Sequence, residues 1–323
     1  MTRHPKTPRS RRLASLLSAL LCVALTVAVT VHAGLKLPGD CAAFPASTAV
    51  IDGLRAARSV TPPVGSAGTL RLMNANLLAD GRGFDGTDAR ERFGTLRAVL
   101  DCYAPDVVTV QEMSLRWYAC LLKDRTVYQL VRPFDTGRHL RMNGILYNPD
   151  RLLLLQSGGT PFSTGGDERL RCMVWAQFEA KANGARFWVL TTHFSRVYAP
   201  TEAQDAAVVE TQTNELLAKI DELTADGLPL IAAGDFNARE NPRSRAYFAY
   251  GRLASRLGDA RDRASSLFNG AERSVLGSTG DHVFISGAVR VERFALLSHA
   301  FLNEMSDHYP VFADLTVDKA SNG

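Results

Sequence analysis

LPLIAAGDFNA (Leu228–Ala238) decides how the rest of the chain is read. The apolar run Leu230–Ala233 has the length of a buried strand and halts at Gly234, Asp235, Phe236 and Asn237. A carboxylate and an amide thus sit where a core strand reaches the surface. Residues two apart on an extended backbone share a side, so Asp235 and Asn237 face one way and Phe236 faces the other, into packing. That placement suits the grip of one phosphate. Taken alone, the same residues serve equally well as a turn in which Asp and Asn cap the backbone.

Working outward, other strands end in the same manner. Leu70–Leu78 reads as a strand ending in amides and carries Asn76. Asp106–Val110 is a second buried strand that delivers Gln111 and Glu112. Further strands are predicted over Val127–Val131, Gly144–Tyr147, Cys172–Phe178 and Arg186–Thr192, the last terminating at His193. Asp281–Ser286, Val289–Leu297 and His308–Leu315 complete them. Helices are predicted over Ala89–Cys102, whose apolar face is Phe93, Leu96, Val99 and Leu100, and over Ser114–Leu122, Thr201–Ala225 and Ser244–Leu253. Consecutive strands after residue 127 pair most naturally as antiparallel hairpins. This order predicts an α/β layered sandwich of two mixed, mostly antiparallel sheets flanked by helices rather than a Rossmann or TIM arrangement.

Asn76, Glu112, His193, Asp235 with Asn237, Asp281, and Asp307 with His308 each lie at a strand end. Any one of them has a dull explanation as a turn carboxylate, an edge histidine or a cap. Their joint occurrence does not. Asn76 after its apolar strand, VVTVQEM (107–113), LTTHF (190–194), LIAAGDFNA (230–238), GDHVFIS (280–286) and MSDHYPV (305–311) resemble the endonuclease/exonuclease/phosphatase superfamily with its deoxyribonuclease-I-like fold, over about residues 70–316. The resemblance implies a four-layer αββα sandwich, an active site at one edge of the two sheets and divalent-metal-dependent phosphoester hydrolysis. Gly280 departs from it, because the family usually has a branched apolar residue there, and this puts the geometry of Asp281 in question.

Residue chemistry agrees with the resemblance. A phosphodiester repels its nucleophile, so a catalyst must neutralise charge, activate water and assist the leaving oxygen. Mg²⁺ suits a site built of carboxylates and amides, with Mn²⁺ or Ca²⁺ as alternatives. Glu112 is the expected metal ligand, supported by Asn76 and Asp307. Asn237 and His193 are expected to hold non-bridging oxygens. Asp281 is expected to orient His308, and Asp235 to orient or deprotonate the attacking water. Base and acid are not assigned among Asp235, His308 and His193. Arg141 and Asn143 are further candidates for a phosphate contact.

The amino terminus reads as an export signal. Arg3, Lys6, Arg9, Arg11 and Arg12 precede the uncharged run Leu13–Val31, and small residues close on Ala33. Ser10-Arg11-Arg12 also resembles a twin-arginine signal. The alternative is an uncleaved anchor, because the run is long enough to span a bilayer. The expected organisation is a leader over 1–33, a linker over 34–69 with a short helix over Ala49–Arg58, the domain over 70–317 and a tail over 318–323.

The chain of 323 residues has 37 basic and 33 acidic residues; residues 1–33 hold five of the basic and none of the acidic, leaving 32 against 33. A mature protein so close to neutral offers no overall nucleic-acid footprint. Arg132, Arg138 and Arg141 are read as a solvated basic face. Four cysteines remain after the leader, Cys41, Cys102, Cys120 and Cys172, and the expectation is Cys102 paired with Cys120 and Cys41 with Cys172.

The sequence therefore predicts a secreted or periplasmic hydrolase acting on phosphoester bonds of a nucleic acid, a phospholipid or an inositol phosphate, monomeric and with no obligatory protein partner. Trp117, Tyr118 and Phe194 are expected in packing rather than on a lipid-binding surface. The competing expectation is a catalytically silent exported binding module on the same fold.

Overall fold

The computed structural model describes residues 45–60, 69–79, 89–123, 127–131, 142–164, 171–267 and 280–319. The expected leader over 1–33, Cys41, Arg132, Arg138 and Arg141 lie outside the described residues. Among the described residues no helix is long and apolar enough to cross a membrane.

Two mixed sheets form the molecule's centre. One has the spatial order β10 (Ser266–Leu267), β12 (Val289–Leu296), β13 (Val311–Val317), β1 (Thr69–Asn76), β2 (Val107–Met113), β4 (Met142–Tyr147) and β3 (Gln129–Val131). The other runs β5 (Leu152–Pro161), β6 (Cys172–Ala180), β7 (Arg186–His193), β8 (Leu230–Asp235), β11 (Asp281–Ser286) and β9 (Gly258–Asp259). Six helices flank them among the described residues: α1 (Thr48–Val60), α2 (Ala89–Tyr103), α3 (Leu115–Lys123), α4 (Glu202–Leu223), α5 (Tyr247–Arg256) and the short α6 (Ala260–Arg263). The layered sandwich predicted from the sequence is present.

β8 shows why its sequence carries no polar alternation. Ile231 and Ala233 face the core between the sheets, while Leu230 and Ala232 face the helices with Val209, Leu216 and Ile220 of α4 and Leu253 of α5. A strand covered on both faces must be apolar throughout. Parallel neighbours need a crossover, and α2 joins β1 to β2 as α4 joins β7 to β8. Gly234 lets β7 and β8 close, since a Cβ there would stand 2.2 Å from the Thr192 carbonyl oxygen.

The first sheet carries a buried ion cluster on its outer face. Arg71 Nε and Nη2 donate to the two carboxylate oxygens of Asp314 at 2.8 and 3.1 Å, and Arg293 Nε donates to Asp314 Oδ2 at 2.9 Å. Arg71 also donates from Nη1 to the Tyr103 carbonyl at 3.0 Å, tying β1 to the end of α2.

Several boundaries differ from expectation for local reasons. β5 was not expected at all: it is an edge strand in which Leu153 and Leu155 are exposed, and Gly158 and Gly159 read as breakers. Gly158 instead accepts the Trp175 ring of its cross-strand partner, where a Cβ would meet that ring at 2.7 Å. The last strand begins at Val311 rather than His308 because Pro310 lacks the N–H that a ladder needs. α5 begins at Tyr247 rather than Ser244, after a turn in which Asn241 Oδ1 caps the Arg243 N–H at 3.0 Å.

Neither expected disulfide is formed, because Cys102 and Cys172 are free thiols. Cys102 ends α2 and turns its Sγ to the Leu54 carbonyl at 3.6 Å, whereas Cys172 is buried at the start of β6 in the other sheet. Trp117 and Phe194 are buried as expected.

Candidate active site

Register brings the strand ends together. β7 and β8 run parallel with His193 opposite Asp235, and β11 runs antiparallel to β8 with Asp281 opposite Asp235. One row across three adjacent strands therefore presents His193, Asp235 and Asp281. The facing sheet contributes Asn74 and Asn76 from β1 and Glu112 from β2. The turn before β13 contributes Asp307 and His308, and Ser306 fixes that turn by donating to the Asn76 carbonyl at 2.6 Å.

Asp235 is the hub. Its Oδ2 lies 3.2 Å from His193 Nε2, accepts Asn76 Nδ2 at 3.1 Å and stands 4.0 Å from His308 Nε2. Its Oδ1 accepts the Asn237 backbone N–H at 2.9 Å. Asp281 Oδ2 lies 2.6 Å from His308 Nδ1 and its Oδ1 accepts Asn74 Nδ2 at 3.1 Å. Behind this pair Asn74 Oδ1 accepts Thr109 Oγ1 and Gln111 Nε2, each at 2.8 Å, and Gln111 Nε2 also donates to Thr191 Oγ1 at 2.9 Å. A buried polar chain thus runs from one sheet to the other and fixes the carboxylate that orients His308. Sequence reasoning missed Asn74, Gln111 and Thr191. The available signal was their spacing: Asn74 with Asn76, and Thr109 with Gln111, are polar residues two apart in otherwise apolar strands.

The charges follow from burial and neighbours. Asp235 would be driven upward by burial, but the contact with His193, the His308 charge and the Asn237 N–H outweigh it and hold the carboxyl below its ordinary value. Burial and then the nearby Arg171 guanidinium lower His193 against the pull of Asp235, which favours the uncharged imidazole beside the carboxylate. Burial also opposes a charge on His308. There the adjacent Asp281, with Asp235 and Asp307 behind it, prevails and pushes the imidazole up to about 10. Burial raises Asp281 itself, partly offset by the His308 charge. Two histidines about one carboxylate are therefore shifted in opposite directions.

The row opens into a cleft of about 970 Å³ lined by Asp235, Asn237, Asp281, Asp307 and His308, together with Arg196, Arg239, Arg243 and Arg245. His193 and Asn76 are buried and reach this cleft through Asp235. Asn237 is held from both sides, its Nδ2 donating to the Phe194 carbonyl at 2.8 Å and its Oδ1 accepting Arg196 Nε at 3.0 Å. His282 braces the next residue, its Nε2 lying 2.8 Å from the Ala238 carbonyl. Asn143 is not brought to the cleft: it is buried and donates Nδ2 to the Cys172 carbonyl at 2.9 Å.

Residues 73–308 match the model of the family described as "Endonuclease/Exonuclease/phosphatase family". The chain belongs to that family. Members of the endonuclease/exonuclease/phosphatase family are hydrolases acting on phosphoester bonds and generally use divalent metal ions. Among solved structures the chain is similar to an endonuclease/exonuclease/phosphatase from Bacteroides vulgatus, at 20% identity and TM-score 0.62 over 77% of this chain and 99% of that one. A mannosyl-6-phosphatase from Bacteroides thetaiotaomicron matches at 20% identity and TM-score 0.62 over 76% and 99%. D. rerio TDP2 complexed with single-strand DNA product matches at 21% identity and TM-score 0.59 over 77% and 99%. These likenesses show the fold. No curated protein matches the sequence.

The departure at Gly280 from the family pattern has a local cause. A Cβ there would stand 2.8 Å from Asp235 Oδ1 and 2.9 Å from Asn237 Cα, so only glycine lets β11 enter beside the Asp235–Asn237 turn. Gly280→Ala is expected to lower kcat by about 10²-fold by displacing the hub carboxylate, since misplacements near 1 Å carry costs of that order. Steady-state kinetics beside a thermal melt checks this: an unchanged kcat would show that the turn yields without moving Asp235.

Oxygen donors at the ends of β1 and β2 and in the turn before β13 fit a hard divalent cation. Glu112 and Asp307 supply carboxylates and Asn76 an amide oxygen, with no thiolate or imidazole in that set. Glu112 Oε2 accepts the Ala79 N–H at 3.2 Å and Asn76 Oδ1 accepts the Leu78 N–H at 3.0 Å, which fixes both side chains at the ends of β1 and β2. Among the described residues no three His, Cys, Asp or Glu side chains converge closely enough to enclose a metal by themselves.

Proposed function

We propose that this family member is an exported, divalent-cation-dependent phosphoesterase in which Asp235 and His308 handle the water and the developing charge. The observation that carries the reading is the hub: one buried carboxylate, Asp235, that lies 3.2 Å from His193 Nε2 and 4.0 Å from His308 Nε2 and accepts Asn76 Nδ2 and the Asn237 N–H. Asp235 is the acceptor that orients the attacking water. His308 holds its proton on Nε2, facing the cleft while Nδ1 binds Asp281, and presents it to an oxygen of the phosphate. Asn237 and His193 keep the surrounding donors in place as charge builds. A cation held by Glu112, Asp307 and Asn76 would neutralise phosphate charge. Export is supported by the basic lead and uncharged run at the amino terminus.

The test is hydrolysis of bis(4-nitrophenyl) phosphate by the full chain with Mg²⁺, with EDTA, and by Asp235→Ala. Cation-dependent turnover lost in both controls supports the reading. A wild type as inert as the variant, across a panel including a phosphomonoester, hands the fold to the silent binding module.

Protonation of His308 also makes a stability prediction. Its proton affinity in the folded chain, up to about 10, exceeds the unfolded value near 6.5. The stabilisation is therefore fully present below about pH 6.5 and is lost as pH rises through about 10, on the order of a few kcal/mol. In EDTA, the melting temperature of wild type is expected to fall across this window, and His308→Gln to lose most of that fall. Parallel curves for the two proteins would contradict the assignment.

A further inference from the structure

Arginine pairing is uneven over the molecule. Many described arginines have carboxylate partners, among them Arg71 and Arg293 with Asp314, Arg186 with Glu179, Arg245 with Glu202 and Arg256 with Asp221. Arg196, Arg239 and Arg243 are exposed, all line the cleft, and form no ion pair among the described residues. Their positions follow from the topology. Arg196 lies three residues beyond His193 at the end of β7, and Arg239 and Arg243 follow Asn237 at the end of β8. Two parallel strands thus send their exit segments to one cleft. Asp281, Asp307 and His308 line the same cleft.

Of the four arginines lining this cleft, Arg245 pairs with Glu202, while Arg196, Arg239 and Arg243 form no ion pair with Asp235, Asp281 or Asp307 among the described residues. Opposite charges that share a cleft unpaired are charges positioned for a ligand. The carboxylates are occupied, on the reading above, by the cation and the phosphate being cleaved. The arginines face a separate anion. Guanidinium suits phosphate because its fork of donors matches two oxygens at once. Arg196 is spent in part on Asn237 Oδ1, which leaves Arg239 and Arg243 as the principal contacts.

The geometry points to a second phosphate subsite on Arg239 and Arg243, assisted by Arg196, so that the ligand carries a phosphate beyond the one being cleaved. Where the cleaved phosphate sits rests on the phosphoesterase reading; the subsite itself does not. The shared chemistry is a two-phosphate ligand, and a short nucleic-acid strand or an inositol bisphosphate would both supply it. Tyr198, 54% exposed in the same cleft, offers a face on which a base would stack.

The test is equilibrium binding to the full chain in EDTA, without turnover. The probes are a 5′-phosphorylated thymidine dinucleotide, inositol 1,4-bisphosphate and, as single-phosphate control, methyl phosphate. Arg239→Gln/Arg243→Gln is expected to weaken binding of the preferred two-phosphate probe at least tenfold. The salt dependence of dinucleotide binding should fall by about 0.7 per lost contact. Arg256→Gln/Arg290→Gln removes the same charge away from the cleft and should change little, and Arg239→Lys/Arg243→Lys should recover part of the loss. Preference for the dinucleotide that Tyr198→Ala abolishes identifies a strand; preference for the inositol identifies a headgroup.

Equal weakening of methyl phosphate, equal effects from the remote pair, or no binding of either two-phosphate probe at millimolar concentration each overturns the subsite. Hydrolysis does not enter, so failure of the phosphoesterase reading and failure of this subsite are seen separately.

Discussion

Asp235→Asn is expected to reduce turnover by about three orders of magnitude while the chain still folds. The replacement keeps the shape and removes the charge. Three donors converge on this carboxylate: His193 Nε2–H, Asn76 Nδ2 and the Asn237 N–H. A neutral amide offers one oxygen to them and turns its own NH₂ toward a donor, so one buried bond is lost at about 1–3 kcal/mol. His308 loses a nearby anion and the attacking water loses its acceptor; removal of one positioned acid–base or electrostatic group commonly costs about 10²–10⁴-fold. Single-turnover kinetics separates this chemical loss from binding. A decrease under tenfold with an intact melt would remove Asp235 from the centre of the proposed chemistry.

Asp314→Ala is expected to have the largest effect on stability, about 3–5 kcal/mol, with the cleft unaltered in the surviving folded fraction. Asp314 is fully buried and neutralises Arg71, itself 3% exposed at the side chain, together with Arg293. Removing the anion strands a guanidinium inside the first sheet, and an uncompensated buried charge is far costlier than the intact pair is beneficial. Urea denaturation reads this directly. Arg71→Met/Asp314→Leu, which removes both charges, should recover much of the loss; a single variant that melts within 1 kcal/mol (~) of wild type would mean that water reaches Arg71.

Much of the candidate site was legible because its residues sit where apolar runs stop. Asp235, His193 and Asp281 are each read one at a time from the end of a strand, and β-register then sets them side by side. Asn74 and Gln111 were not legible. Each is an amide within a strand, and its purpose appears only when the parallel register of β1 and β2 and the facing of the two sheets are known. The same holds for Arg196 and Arg243, which are 47 positions apart in sequence and share a cleft because β7 and β8 are parallel neighbours. Edge strand β5 was hidden by its own exposure: half-wet leucines and paired glycines show no two-residue period. Cysteine spacing does not encode pairing: Cys102 ends α2, Cys172 opens β6, and both are free thiols.

Glu112 and Asn237 adopt backbone φ angles of 54° and 48°, a region where side-chain-bearing residues are scarce. Asparagine tolerates that twist; glutamate holds it at a torsional cost of about 1–3 kcal/mol that the surrounding fold must absorb. Glycine at 112 would relax the chain and discard a carboxylate in the same stroke. Breeding this protein for heat tolerance alone should therefore favour sturdier, idler descendants, with position 112 among the first to drift.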